Sequence, residues 1–129
     1  MAGVVLYWGE GSKTSNRLEL ANSDIRLVQV FLRWLDTLGV DRKVDLGVQL
    51  FLHGGQDAEQ LKRWWSSETG IPIGCFIKPF VKPEGTGHRT NHLYRGTVRI
   101  YVRRSSHLFH TVMGWIDGVA ALPTMSPGR

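Results

Sequence analysis

Apolar residues recur at every second position in three segments of the chain, and this alternation predicts three β-strands. In the longest segment, residues 44–52, five apolar side chains stand at positions 44, 46, 48, 50 and 52. Residues 17–21 and 97–103 alternate in the same way. Alternation places successive side chains on opposite faces of a sheet, so each strand has one buried face. A fourth segment, residues 75–81, is also β-prone, and Pro79 within it favours an edge strand or a bulge.

Apolar residues with helical spacing lie between these strands. Those at positions 25, 28, 31, 32, 35 and 38 predict a helix that begins after Asp24 and ends at Gly39. A second helix begins at Asp57, which has Gln60 three residues later. A third follows Ser105 or Ser106, with an apolar stripe at 108, 112, 115 and 116. The tryptophans at 34, 64, 65 and 115 are expected in the core. Residues 3–9 are too few for periodicity to separate a helix from a buried strand.

These elements predict an α+β fold in which helices cover one face of a sheet and leave the other face exposed. The chain has 129 residues, which is the size of one domain. We expect residues 1–121 to form that domain and residues 122–129 to form a flexible tail.

Composition narrows the class of protein. Hydrophobic residues make up 42% of the chain and charged residues 21%, which is typical of a globular fold. No apolar run approaches the roughly 20 residues of a membrane span. The single cysteine, Cys75, excludes an internal disulfide and a cysteine-based zinc site. No basic segment of a secretory signal precedes the apolar residues near the N-terminus. We therefore expect a cytoplasmic protein without a membrane partner.

The positive charge lies in the second half of the chain. Residues 1–75 hold 8 basic and 9 acidic side chains, whereas residues 76–129 hold 8 basic and 2 acidic ones. Between residues 76 and 104, Glu84 is the one acid among seven basic side chains. This surplus favours a polyanionic partner. The alternative is an ordinary solvated basic face.

The predicted strand at residues 97–103 turns Arg99, Tyr101 and Arg103 to the exposed face of the sheet. Such a row of hydrogen-bond donors fits the major groove of DNA, where arginine recognises the edge of guanine. Further basic or polar residues of the neighbouring segment and of the polar loop at 82–95 widen this predicted DNA-binding surface, namely Lys78, Lys82, Arg89, His92 and Arg95. Arg17 is included in the same surface. A solvated sheet face remains the alternative interpretation.

Glu10 is the residue most suited to metal chemistry. It stands between Gly9 and Gly11, which allow a ligand to approach closely. One carboxylate is a poor magnesium site, so substrate phosphates or a second subunit would have to complete it. A surface glutamate in a turn is the alternative. The histidines show no metal-binding spacing, and no nucleophilic triad has a local signature.

The residues Leu6-Tyr7-Trp8-Gly9-Glu10-Gly11-Ser12-Lys13 resemble the motif helix of the LAGLIDADG homing-endonuclease superfamily. More closely, they resemble the small bacterial proteins that carry an LYWGEGSK-like version of this motif. Further segments continue the resemblance over residues 3–119: Asn22-Ser23-Asp24, Leu50-Phe51-Leu52-His53, Trp64-Trp65, Phe76-Ile77-Lys78 and Tyr94-Arg95-Gly96-Thr97-Val98.

The resemblance implies an αββαββα-like, homing-endonuclease-like fold with an antiparallel sheet lying in the DNA major groove. It implies a sequence-specific, divalent-metal-dependent endonuclease, a phosphodiester hydrolase. In such an enzyme Glu10 holds Mg²⁺ or Mn²⁺ and a basic residue assists, for which Lys13 and Lys78 are the candidates. Because one motif is present, it also implies a homodimer on double-stranded DNA. Its interface would be formed by the motif helix, through Val4, Val5, Tyr7, Trp8 and Gly9.

Two other functions remain open from the sequence. The same exposed sheet face is compatible with a non-catalytic DNA-binding or regulatory module, because one fold hosts several functions. An RNA-binding or RNA-processing domain is the third hypothesis, since Tyr94 and Tyr101 could stack on unpaired bases.

Overall fold

The computed structural model describes residues 2–83 and 95–122 as four helices and four strands. In chain order these are α1 (Ala2–Glu10), β1 (Glu19–Asn22), α2 (Ile25–Thr37), β2 (Leu46–His53), α3 (Ala58–Thr69), β3 (Phe80–Lys82), β4 (Thr97–Val102) and α4 (Ser106–Ala120). A short 3-10 helix, Ile73–Cys75, lies between α3 and β3. The α+β class is therefore confirmed. Most of the predicted polar loop, and all but Leu122 of the predicted tail, lie outside the described residues.

The sheet is mixed rather than antiparallel. Its strand order is β1-β4-β2-β3, and β4 pairs antiparallel with both β1 and β2. β3 runs parallel to β2, with Phe51 opposite Phe80 and His53 opposite Lys82. The prediction of a wholly antiparallel sheet is wrong at this edge, because α3 and the 3-10 helix carry the chain back before β3 begins and so allow a parallel pair. The edge position predicted from Pro79 is confirmed.

The order of elements also differs from αββαββα in both halves, and in the second half α3 stands between β2 and β3. One strand, β1, separates α1 from α2. Gly11 forms a single bridge to Leu20, and the Ser12 N–H donates to the carbonyl of Glu19 at 2.8 Å. The residues that directly follow α1 therefore cover the β1 edge without forming a second strand.

Side chains at the helix ends explain where α2 and α3 begin. The Asp57 carboxylate accepts from the backbone N–H of Gln60, as the sequence predicts, and of the candidates Asn22, Ser23 and Asp24 it is Asp24 that caps α2, accepting from the backbone N–H of Arg26. Ser105 stands at the N-cap of α4 but makes no capping bond. Its hydroxyl instead accepts from the Leu18 N–H and donates to the Val102 carbonyl, so it ties β4 to the residue before β1.

The core lies between the helices and one face of the sheet. It contains residues of all four helices, Leu18, and alternate residues of β1, β2 and β4. These strand residues are Leu20, Leu46, Val48, Leu50, Leu52, Val98, Ile100 and Val102. No helix in the described ranges is long and apolar enough to span a membrane.

Two predicted core residues lie elsewhere. Val44 is exposed because the chain turns before β2, where the Asp45 N–H donates to the carbonyl of Asp41. Trp115 is exposed because α4 buries Phe109, Val112 and Ile116 instead. Trp65 is fully buried, as predicted, while Trp34 and Trp64 are partly buried against the core.

Tyr7 joins α1 to the rest of the fold. Its ring is fully buried beside Phe31 and Trp34, with centroid distances of 6.2 and 6.0 Å. Its hydroxyl donates to the Ser12 carbonyl at 2.5 Å and accepts from the Glu19 N–H at 3.1 Å. Burial raises the pKa of Tyr7 to about 12, because the phenolate would lose its hydration. One hydroxyl therefore fixes both ends of the segment between α1 and β1.

We expect Tyr7→Phe to lower the free energy of unfolding by about 1–3 kcal/mol, because it leaves two buried backbone groups without their partner. Urea denaturation measures this. Tyr101→Phe is the matched control: the Tyr101 hydroxyl makes no hydrogen bond with a described residue, so its loss should change stability by less than about 0.5 kcal/mol. Equal effects of the two substitutions would contradict the role assigned to Tyr7.

Candidate nucleic-acid interface

The face of the sheet that the helices leave uncovered is called the open face here. It consists of the strand residues that alternate with the core residues, and of Arg17 in the same alternation just before β1. These residues are Arg17, Glu19, Ala21, Gly47, Gln49, Phe51, His53, Phe80, Lys82, Thr97, Arg99 and Tyr101. Within residues 2–83 and 95–122, all four helices pack on the opposite face, as predicted.

Tyr101 lies on the open face near the end of β4, between Glu19 of β1 and Gly47 of β2. The hydroxyl end of its ring covers Gly47, the residue that pairs with it on β2. A Cβ atom on Gly47 would come within 2.1 Å of the ring. A glycine at this position therefore lets the ring lie flat on the sheet. The guanidinium carbon of Arg17 stands 4.0 Å from the centroid of the same ring, and that of Arg99 stands 5.4 Å from it. Two cations thus gather around one aromatic side chain.

Glu19 links these two arginines. Its Oε1 accepts from Nε and Nη2 of Arg17 at 3.1 and 2.9 Å, and lies 3.4 Å from Nη1 of Arg99. The side chain of Glu19 is 16% exposed and that of Arg99 is 26% exposed. This acid is therefore partly shielded from water by the cations that it pairs with.

The network continues across the sheet through Gln49. Arg99 Nη2 donates to Oε1 of Gln49 at 2.8 Å, and Nε2 of Gln49 donates to the Lys78 carbonyl at 3.1 Å. Nε of Arg99 is buried and has no hydrogen-bond partner in the part of the chain that the structure describes. The side chains of Arg17 and Arg99 therefore lie along the sheet surface, in contact with Glu19, Gln49 and Tyr101. Arg99 does not project away from the sheet as one of the row of donors that the alternation predicted.

Arg103 is separate from this network, because β4 ends at Val102. It lies in the turn before α4, exposed, at a cavity of about 550 Å³ that Val44, Arg104 and Leu108 also line. The prediction of a strand that reaches Arg103 is therefore wrong by one residue.

Of the remaining predicted DNA-binding residues, Lys82 and Arg95 lie toward the end of the sheet where β4 begins, and Lys78 lies beside the middle of β2. Lys82 is exposed at the end of β3 and lies opposite His53. The Arg95 guanidinium stacks on Trp64 at 4.3 Å, while its carbonyl accepts from Nε1 of Trp65. Lys78 is exposed just before β3. Arg89 and His92, with Tyr94, lie outside the described residues.

Sequence reasoning missed several residues of the open face. Phe51 and Phe80 form an aromatic pair at 5.9 Å beside Arg99. Glu19 and Gln49 hold the arginines in place. The signal that could have revealed the arrangement is Gly47, since a glycine within an otherwise regular strand marks a close approach by another group.

Glu10 is exposed at the end of α1 and has no hydrogen bond or ion pair with any described residue. Nζ of Lys13 lies at the same helix end, where it donates to the carbonyls of Trp8 and Gly11 at 2.9 and 2.8 Å. Lys78 does not join them, because it lies beside β2, beyond β4, whereas Gly11 borders β1.

A metal site at Glu10 would be incomplete in one chain. Within residues 2–83 and 95–122, no group of three or more His, Cys, Asp or Glu side chains could hold a metal ion. Two nearby carbonyls are already bonded to Lys13. The donor set fits Mg²⁺ only if DNA phosphates or a second Glu10 supply further oxygen ligands.

The predicted dimer residues divide between core and surface. Val4 and Tyr7 are buried in the chain's own core. Val5 and Trp8 remain 49% and 42% exposed, and Gly9 is exposed beside them. The surface that α1 offers to another molecule therefore consists of Val5, Trp8 and Gly9.

Comparison with known protein families, curated proteins and solved structures finds no match for this chain. A proposal about its function therefore rests on the residues of the chain itself.

Proposed function

We propose that this protein binds double-stranded DNA through the open face of its sheet. The observation that carries the proposal is the cluster of Arg17, Tyr101 and Arg99 on a sheet face that none of the described helices covers. Arginine recognises phosphates through paired hydrogen bonds, and its positive charge attracts the DNA backbone before any base is contacted. A sheet can enter the major groove when its face is free.

The charge around this cluster supports the same partner. Glu19 is the one acid of the open face, and its charge is balanced by the two arginines. Lys82 and Arg95 add exposed positive charge toward one end of the sheet. A phosphate backbone that follows the open face would therefore pass several cations and one paired carboxylate.

Duplex DNA is preferred over single-stranded RNA because of how Tyr101 is covered. Stacking on an unpaired base requires a free ring face. Arg17 occupies the ring at 4.0 Å, and the phenol end lies on Gly47. Competition between duplex DNA and single-stranded RNA separates the two partners, and tighter binding of RNA would overturn the proposal.

We expect Arg17→Ala to weaken duplex binding about 5- to 10-fold on all sequences and to lower the salt slope by about 1, as the loss of one phosphate contact does. Fluorescence anisotropy at several salt concentrations measures both. Arg33→Ala is the matched control, because Arg33 is exposed on α2 in the helical layer and makes no contact with the open face. Equal losses for the two variants would place the DNA elsewhere.

We further propose a catalytic form, an endonuclease dependent on Mg²⁺ or Mn²⁺. Glu10 favours it, because this exposed carboxylate has no partner among the described residues and Lys13 is held at the same helix end. Two copies that meet through Val5 and Trp8 would bring two Glu10 side chains together on a symmetric site. The ion would supply charge stabilisation at a phosphate when bound. The chain's contribution is to hold Glu10 and Lys13 at one helix end.

Glu10→Gln is expected to abolish Mg²⁺-dependent cleavage while duplex binding changes less than about twofold, since the substitution removes a metal ligand and leaves the open face intact. The substrate comes from selection of a random duplex pool in Ca²⁺, and a symmetric dimer should select a near-palindromic site. Glu68→Gln removes an exposed acid of α3 and should cleave normally. Cleavage that survives Glu10→Gln would refute the catalytic form and leave DNA binding as the function.

A further inference from the structure

Glu19 occupies the position on the open face where an anionic ligand would bind. Its Oε1 accepts three N–H groups, two from Arg17 and one from Arg99. A phosphate oxygen takes the same kind of donors from arginine. The two cations best placed to contact DNA are therefore already paired with an acid of the chain itself.

Both arginines have other contacts that keep them in place. Arg99 donates to Gln49 at 2.8 Å, and Arg17 stacks on Tyr101, whose ring rests on Gly47. Neither guanidinium therefore depends on Glu19 alone for its position. The carboxylate contributes a negative charge that a DNA phosphate would have to displace or tolerate as a close neighbour.

We infer that Glu19 is an intramolecular competitor of DNA phosphate, a role that rests on the proposed DNA-binding function. When DNA binds, Arg17 exchanges its bonds to Glu19 for bonds to a phosphate, and Arg99 stays on Gln49. The Arg17–Glu19 pair is exposed enough for this exchange, with Arg17 38% exposed. Glu19 thereby lowers the affinity for every duplex and restrains non-specific binding.

Glu19→Gln tests this, because glutamine keeps the size of the side chain and an acceptor oxygen but loses the charge. The probe is a fluorescein-labelled duplex of mixed sequence, titrated with the full chain at several salt concentrations. We expect the Kd to fall at least about threefold, since Arg17 then binds a phosphate without giving up a charged partner. Glu19→Asp keeps the charge and should bind within twofold of the wild type.

Glu59→Gln is the control for the change in net charge. Glu59 pairs with Lys62 on α3, in the helical layer, so its neutralisation should change the Kd less than twofold. Circular dichroism confirms that each variant is folded.

The two proposals fail in different ways. If the wild type and Glu19→Gln both leave the duplex unbound, the proposed DNA binding is wrong, and the competitor role is wrong with it. If the wild type binds and Glu19→Gln binds equally or more weakly, DNA binding stands and Glu19 positions the arginines instead of competing. Tighter binding by Glu19→Gln alone supports the competitor.

Discussion

The buried hydroxyl of Tyr7 is the interaction on which the rest of the structure depends. Its ring is enclosed by Phe31 and Trp34, and its oxygen bonds to the Ser12 carbonyl and the Glu19 N–H. A buried hydroxyl without partners is costly, so this geometry is strongly favoured once the ring is packed. The backbone of Glu19 is thereby fixed from the core side, while its side chain lies on the open face and pairs with two arginines.

The open face follows from how the sheet is packed. The helices bury alternate residues of β1, β2 and β4, and the intervening residues lie on the opposite face of the sheet. On that face, Gly47 lets Tyr101 lie flat, and Tyr101 in turn supports Arg17. The arginines are consequently ordered before any ligand arrives, which reduces the side-chain entropy that binding would otherwise cost. In our proposal Glu19, an acid of the same network, controls how readily these arginines bind a polyanion.

Local patterns predicted much of the fold. Alternation identified β2 and β4, and the aspartates before α2 and α3 were identified as caps. The parallel β2–β3 pair was not predictable, because it depends on the path of α3 and the 3-10 helix. The flat arginines also escaped prediction, since Glu19, Gln49 and Tyr101 come from three strands and meet only in the folded register. Likewise, the motif did not reveal that Tyr7 is buried, because the buried side of a nine-residue helix is decided by its neighbours.

The most direct test of the account is to locate the DNA on the protein. Backbone amide signals of the ¹⁵N-labelled chain, followed by NMR during titration with a mixed-sequence duplex, report this residue by residue. The account predicts that the largest shifts fall on β1, the middle of β2 and β4, which carry the open face, while the amides of α2 and α3 change little. Shifts concentrated in the helical layer, or around the cavity beside Arg103 and Arg104, would contradict DNA binding by the open face.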